Sequence, residues 1–227
     1  MYLVHVARSR AGRPVHLRRA VTERYKTMDQ EGGATTRRED EAPGFALPRL
    51  AGRSVVLRPV VQQDYDVLRL ALLSEGMALH WRYRGATPAP EQFVEQLWAG
   101  VLCQFIVTTP NDPRPRGLVL CYNADLHSGF AYVAATKLSP LDRTTLVARG
   151  FAMFLGYVFD VWAFRKVYAE VPAYNLTQFS SAIGSIMKIE GQLRNHRRLL
   201  NRYWDEYTLA IDGVQFHEKY DRFLEYL

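Results

Sequence analysis

Few side chains in this 227-residue sequence are spaced for chemistry on their own account. Cys103 and Cys121 lie in strand-like apolar runs with no metal-ligand spacing around them. They read as small buried hydrophobes, and no metal site is expected. Arginine gathers in two places. Residues 1–26 hold Arg8, Arg10, Arg13, Arg18, Arg19, Arg24 and Lys26 against Glu23 alone. A second cluster comprises Arg194, His196, Arg197, Arg198 and Arg202. Guanidinium groups in such runs can grip phosphates, giving nucleic-acid affinity that falls steeply with salt; each run can equally be a solvated face. The first run has further readings, as an extension upstream of a start at Met28 or as a mitochondrial-type transit peptide.

Charge balance separates the arm from the rest. The chain carries +6, all of it within residues 1–26, because the remaining 22 basic and 22 acidic groups cancel. Hydrophobic residues make up 48% and charged residues 23%, ordinary globular usage that supports one domain plus an appendage. The longest apolar run, Phe151 to Phe164, is broken by Gly156 and Asp160 and falls short of the roughly 20 residues that cross a bilayer. MYLVHV is apolar for six residues and runs straight into Arg8 and Arg10, so no secretory signal is expected there. A cytoplasmic protein without membrane contact is expected. Residues 28–43 have the Gly, Thr and charge mixture of a linker, so residues 1–50 are expected to be a mobile extension and 51–227 the domain.

From Arg53 the pattern becomes regular. SVVLRPV reads as a strand, and QQDYDVLRLALLS places Tyr65, Leu68, Leu72 and Leu73 on one helical stripe. Thr87 before Pro88 signals a second helix, with Phe93, Leu97 and Trp98 at helical spacing. The strand LCQFIVTT follows, then NDPRPRG as a turn, the strand LVLCYN, a turn at His127 to Gly129 and the strand FAYVAATKL. TTLVARGFAMFLGYVFDVW is apolar on nearly every face, as suits a helix buried against a sheet. RKVYAEV reads as a buried strand, NLTQFSSAIGSIM as a short amphipathic helix, and LRNHRRL with YWDEYTLAI as a closing hairpin turning at Asn201, with a C-terminal helix after it. This order makes an α+β fold with a mixed, mainly antiparallel sheet.

The same order, with the long helix between the fourth and fifth strands, resembles the GNAT N-acetyltransferase superfamily. The likeness is to its ribosomal-protein and aminoglycoside branch, and particularly to members from natural-product pathways. SVVLRPVVQQDYD, RKVYAEVPAYN and the closing Leu193 to Ile211 carry the resemblance, which covers about 160 residues. It implies about seven strands, helices on both faces and a splayed central strand pair.

The resemblance also implies roles. Backbone groups around Thr136, Lys137 and Leu138 would polarise an acyl carbonyl. The next turn, SPLDRTTLVARG, would hold the diphosphate of coenzyme A at a helix N-terminus, yet it has no glycine between Ser139 and Arg149. There Asp142 adds a negative charge, while Arg143, Thr144 and Thr145 remain as donors and Thr144 can cap the helix. Asn175 would touch the donor's pantetheine. Glu170 is the first candidate for the base, with a structural pairing to Lys166 or Arg165 as its alternative. His127 reads as a surface histidine. Where relatives place an acidic tyrosine, this chain has Phe179, Ser180, Ser181 and Ala182, so Ser180, Ser181 or Tyr174 would have to protonate the leaving group. His80, Trp81 and Asp205 would hold the acceptor.

Three functions follow. The family default is an acyl-CoA-dependent N-acyltransferase acting on a small amine, in secondary metabolism, as a monomer or homodimer. The loop without glycines, the missing tyrosine and the basic arm of residues 1–26 beside the cluster Arg194, His196, Arg197, Arg198 and Arg202 suit a second, in which the donor is the 3′ ester of an aminoacyl-tRNA. A non-catalytic binding protein is the third.

Overall fold

The structure of the chain is a computed structural model that describes residues 50–224 except Gly76, Trp81 and Pro140. The arginine-rich run 1–26, the linker-like 28–43 and the acceptor candidate Trp81 lie outside the described residues. Among the described residues eight strands, β1 (Leu50–Ala51), β2 (Val56–Pro59), β3 (Val101–Thr109), β4 (Asp112–Asp125), β5 (Phe130–Lys137), β6 (Lys166–Pro172), β7 (Lys188–Leu199) and β8 (Arg202–Asp212), join four α-helices. The helices are α1 (Tyr65–Leu72), α2 (Pro90–Trp98), α3 (Leu146–Val161) and α4 (Gly213–Leu224). The sheet runs β1-β2-β3-β4-β5-β6-β8-β7, antiparallel throughout except between β5 and β6. It is the α+β arrangement expected, with one more strand because two residues at Leu50 and Ala51 pair with β2.

Strand alternation separates two cores. On one face Val119, Cys121, Ala131, Val133, Val167, Leu209 and Ile211 pack against Phe154, Leu155 and Val158 of α3 and Phe216 of α4. On the other, Ile106, Leu118 and Leu120 meet Leu68 and Leu72 of α1 and Phe93 and Leu97 of α2. The all-round apolarity of α3 follows, since it is enclosed by the sheet and by α4. Its glycines allow close approach: a Cβ at Gly150 would stand 2.9 Å from Val107 Cγ1, and one at Gly156 2.6 Å from the Tyr220 ring. Cys103 and Cys121 are cross-strand partners, one half-buried and one buried, and the hydrogen bond from Cys121 followed by burial pushes the Cys103 thiol far up. The Cys103 thiol is therefore not primed as a nucleophile.

Three local expectations fail for physical reasons. NDPRPRG is not a turn but the start of β4; Pro113 and Pro115 sit near the strand's end, where fixed extended φ is tolerated, and Asp112 braces it by accepting from the backbone N–H and guanidinium of Arg114. The second helix starts from Pro90 as its first residue rather than at Pro88. NLTQFSSAIGSIM does not form an α-helix. A 3-10 segment covers Ala173–Phe179, then the Ala182 carbonyl accepts from the N–H groups of Ser185, Ile186 and Met187, with Gly184 at φ 83 closing the turn.

The start of α3 is set directly on β4. A Cβ at Gly117 would lie 2.4 Å from Val147 Cγ2 and 3.0 Å from the Thr136 carbonyl oxygen. Val147 is stiff at χ1 and the carbonyl is backbone, so neither yields easily. Gly117→Ala is expected to cost about 1–3 kcal/mol of stability by overpacking, read as a lower urea midpoint with an unchanged slope.

Candidate active site

The parallel pair β5–β6 registers only over Phe130 to Tyr132 against Lys166 to Tyr168. Beyond it, β5 continues with β4 as far as Lys137, and β6 continues with β8 as far as Pro172. The two strands therefore diverge, leaving one side of each without a ladder. Leu138 N–H donates to the Arg116 carbonyl at 3.0 Å, which fixes the alternation along β5. Thr136 and Leu138 turn their backbone groups toward β4, whereas Ala135 and Lys137 turn theirs into the gap. Of the three residues expected to polarise a carbonyl, Lys137 is so placed. Ala135 joins it, and only the register reveals that.

At the end of β5, the turn to α3 is tied together from within. Lys137 Nζ donates to the carbonyls of Asp142 (2.7 Å) and Thr144 (3.0 Å). Asp142 Oδ1 accepts from the Thr144 amide (2.8 Å) and hydroxyl (2.6 Å), and Oδ2 accepts from Arg116. Those Thr144 bonds, with Arg116 beside them, hold the Asp142 carboxyl below the usual carboxylate range. Its side chain is only 3% exposed, so the charge that looked opposed to a diphosphate is turned inward and neutralised. Thr144 is not the N-cap of α3. Thr145 occupies that position without a side-chain cap bond, and Thr144 Oγ1 accepts from the Leu146 amide at a long 3.4 Å.

Around this helix start Arg53, Arg143 and Arg149 are exposed, the last donating to Ser54 Oγ at 3.1 Å. A cleft of about 420 Å³ opens beside it, between Val67 and Ala71 of α1, Arg114 to Arg116 of β4, and Leu138, Ser139, Leu141 and Asp142. The residues present fit a phosphate-bearing donor in charge and in available N–H groups, because the first turn of a helix leaves its amides without intrahelical acceptors.

The opposite wall of the gap is β6 with β8 behind it. Tyr168 and Glu170 alternate onto the same face as Tyr132 and Tyr122, and Glu170 pairs with Thr208. Rings of Tyr122, Tyr132 and Tyr168 stand 5.7 to 5.8 Å apart along this face. Tyr174 meets His80 at 5.4 Å and Trp204 at 5.5 Å, edge to face in both cases. Burial, then the charge of Glu206, push the Glu170 carboxyl above its ordinary range, with His196 pulling the other way. Burial and the charge of Glu170 push the Tyr122 phenol up to about 12. Tyr174 is likewise raised, by burial and then Glu206, which keeps its proton available.

Asp205, expected beside the acceptor, lies on the other face. It accepts from Gln192 Nε2 (2.7 Å) and the Asn195 amide (2.9 Å), and that amide bond together with Gln192 lowers its carboxyl. Glu206, its neighbour, is the carboxylate on the Glu170 side, two places back from Thr208, the cross-strand partner that only the register reveals. Glu170 does not pair with Lys166, which bonds Glu190 at 2.6 Å; the cation near it is Arg197 Nη2, at 4.0 Å. Ser180 and Ser181 are exposed in the turn after the 3-10 segment, and Asn175 Oδ1 accepts from Gln178. His127 is exposed in the β4–β5 turn.

The cluster 194–202 lies on the β7–β8 hairpin. Arg197 is engaged by Glu206, Arg198 bonds Asn201 and Arg202 stacks 3.8 Å over Trp204, while Arg194, Arg198 and Arg202 are all exposed. Among the described residues no group of His, Cys, Asp and Glu could hold a metal ion, and no helix is long and apolar enough to cross a membrane.

No family model and no curated protein matches the chain. Solved structures do. A GCN5-related N-acetyltransferase from Brucella melitensis superposes with a TM-score of 0.61 at 20% identity, over 80% of this chain and 87% of that one. The spermidine N-acetyltransferase from Vibrio cholerae, in complex with CoA and spermine, gives 0.57 at 16% identity, over 72% and 98%. The chain therefore shares the fold of these N-acetyltransferases, the GNAT fold.

Proposed function

We propose that the protein is an amide-forming acyltransferase that moves an acyl group from a coenzyme A thioester to the amine of a small molecule. The observation that carries this reading is the gap between β5 and β6. It has unladdered backbone groups of Ala135 and Lys137 on one side, Glu170 on the other and the start of α3 at its end. The donor supplies an acyl group activated as a thioester. The Ala135 and Lys137 amides polarise its carbonyl. Glu170 takes the proton that the amine nitrogen must shed as its lone pair bonds to the carbonyl carbon. Tyr174, whose phenol stays protonated, supplies the proton that the sulfur needs as the carbon–sulfur bond breaks.

Arg143 is our candidate contact for the donor's phosphates. A charge-assisted hydrogen bond of about 1.5–3 kcal/mol predicts that Arg143→Ala weakens CoA binding at least about tenfold in titration calorimetry. An unchanged affinity removes Arg143 from the donor site. A second reading, an aminoacyl-tRNA ester as donor, is favoured by the exposed Arg53, Arg143 and Arg149 around one helix start. It predicts tRNA binding that collapses with salt, whereas a donor of only a few phosphates loses far less.

A further inference from the structure

One buried carboxylate beside the gap has no part in the chemistry just described. Glu206 on β8 is 2% exposed, and a charge so placed persists only when partners hold it. Its partners come from the edge strand β7. Arg197 donates to Oε1 through Nε at 2.8 Å and also through Nη2, and His196 Nε2 lies 3.3 Å from Oε2. In a regular strand, residues 196 and 197 would face opposite sides of the sheet. The register slips between Leu193 and Arg197, where Asn195 sits at φ 51, and this brings both side chains to one carboxylate. The same Arg197 Nη2 is 4.0 Å from Glu170 Oε2, so a single guanidinium stands between two carboxylates.

We propose that Glu206, capped by Arg197 and His196, is a positioning residue that sets how firmly Glu170 holds a proton. This deepens the proposed function and rests on its reading of Glu170 as the base. A bare pair of carboxylates would make one of them hold its proton much more firmly. A fully neutralised pair would leave Glu170 an ordinary weak base. Capping Glu206 with one guanidinium and one imidazole gives an intermediate field. Several groups from the surrounding elements bear on Glu170. They are Glu206 of β8, Arg197 and His196 of β7 and the phenol of Tyr122 on β4; Tyr132 of β5 and Arg82 bear on that phenol in turn, and Tyr174 adjoins Glu206. Glu206 and His196 act on Glu170 in opposite senses. The proton passed from the amine to Glu170 leaves to solvent between turnovers, since the side chain is 41% exposed.

Opposite signs make the test. The full-length protein is labelled with glutamate carrying 13C at the side-chain carboxyl, and the Glu170 resonance is identified by its loss in Glu170→Gln. Its titration midpoint is then followed in Glu206→Gln and His196→Gln. Removing the like charge is expected to lower the midpoint by about one pH unit, and removing His196 to raise it. Midpoints that stay put in both variants, or move in the same direction, overturn the inference. His196 is 53% exposed, so His196→Gln preserves the fold and decides the matter alone if Glu206→Gln does not fold. The two readings fail separately. If Glu170→Gln retains full turnover while the midpoints shift, the base assignment falls and the Glu206 assignment stands; if turnover is lost and the midpoints are fixed, only the latter falls.

Discussion

Glu170→Gln is expected to lower kcat/KM for acyl transfer about 100-fold, the size of a general base's contribution, while donor affinity stays within about threefold. The amide keeps the shape of the side chain and removes only its ability to accept a proton. The sign of the pH dependence follows from the environment. Burial and Glu206 raise the Glu170 carboxyl above its ordinary range, and a base accepts a proton only when it is ionised, so the rate falls as the pH drops through that raised value. The acid limb of the wild-type profile should therefore lie above the range of a free glutamate, near 4.3. In Glu170→Gln that limb should disappear. A variant within threefold of the wild-type rate, with the limb intact, would show that another group takes the proton.

The second large effect concerns stability. Asp64 follows β2 and pairs with Arg58 through two bonds of 2.7 Å, while its Oδ2 also accepts from the Val61 amide at 2.9 Å. Its side chain is 7% exposed. Burial opposes its charge, but the Arg58 bonds and the Val61 amide outweigh that and depress the carboxyl. Asp64→Asn leaves Arg58 without its counter-charge and is expected to cost about 3 kcal/mol, at the lower end for a buried pair because Arg58 is 27% exposed. A depressed carboxyl contributes its stability fully above the unfolded value near 3.9 and loses it as the pH falls through the folded one. Urea midpoints of wild type and variant should thus be far apart at pH 7 and draw together below about pH 4. A gap independent of pH would mean that Asp64 acts through packing instead.

The elements that alternate or repeat cleanly were legible in the sequence. Val119, Val133 and Val167 announce their strands, and the helical spacing of Leu68, Leu72, Phe93 and Leu97 announces α1 and α2. What escaped depends on register and on turns. Ala135 has no chemistry in its side chain, so only the pairing of Leu138 with Arg116 shows that its amide faces the gap. Asp205 and Glu206 differ by one place in sequence and by a face of the sheet in space. Without the cross-strand partner of Glu170 that parity could not be assigned. Asp142 looked like a charge set against a phosphate because Arg116, its partner, comes from a strand 26 residues earlier. The paired role of His196 and Arg197 needs a register slip that no periodicity signals.

The loop from Ser139 to Thr145 bears most on the donor. Glycine-free, it is nonetheless braced by Lys137 and by the Asp142–Thr144 bonds, with its acid buried and Arg143 exposed. Rigidity from side-chain bonds stands where small residues would give flexibility. Gly117, on which the first turn of α3 rests, lets the helix start sit close against β4 and the end of β5.

The most direct measurement is release of free thiol from acetyl-CoA, followed with and without a panel of small amines, for wild type and Glu170→Gln. Acyl transfer at the β5–β6 gap predicts thiol release that depends on amine and drops about 100-fold in the variant. Thiol release indifferent to every amine, or equal in the two proteins, would contradict it.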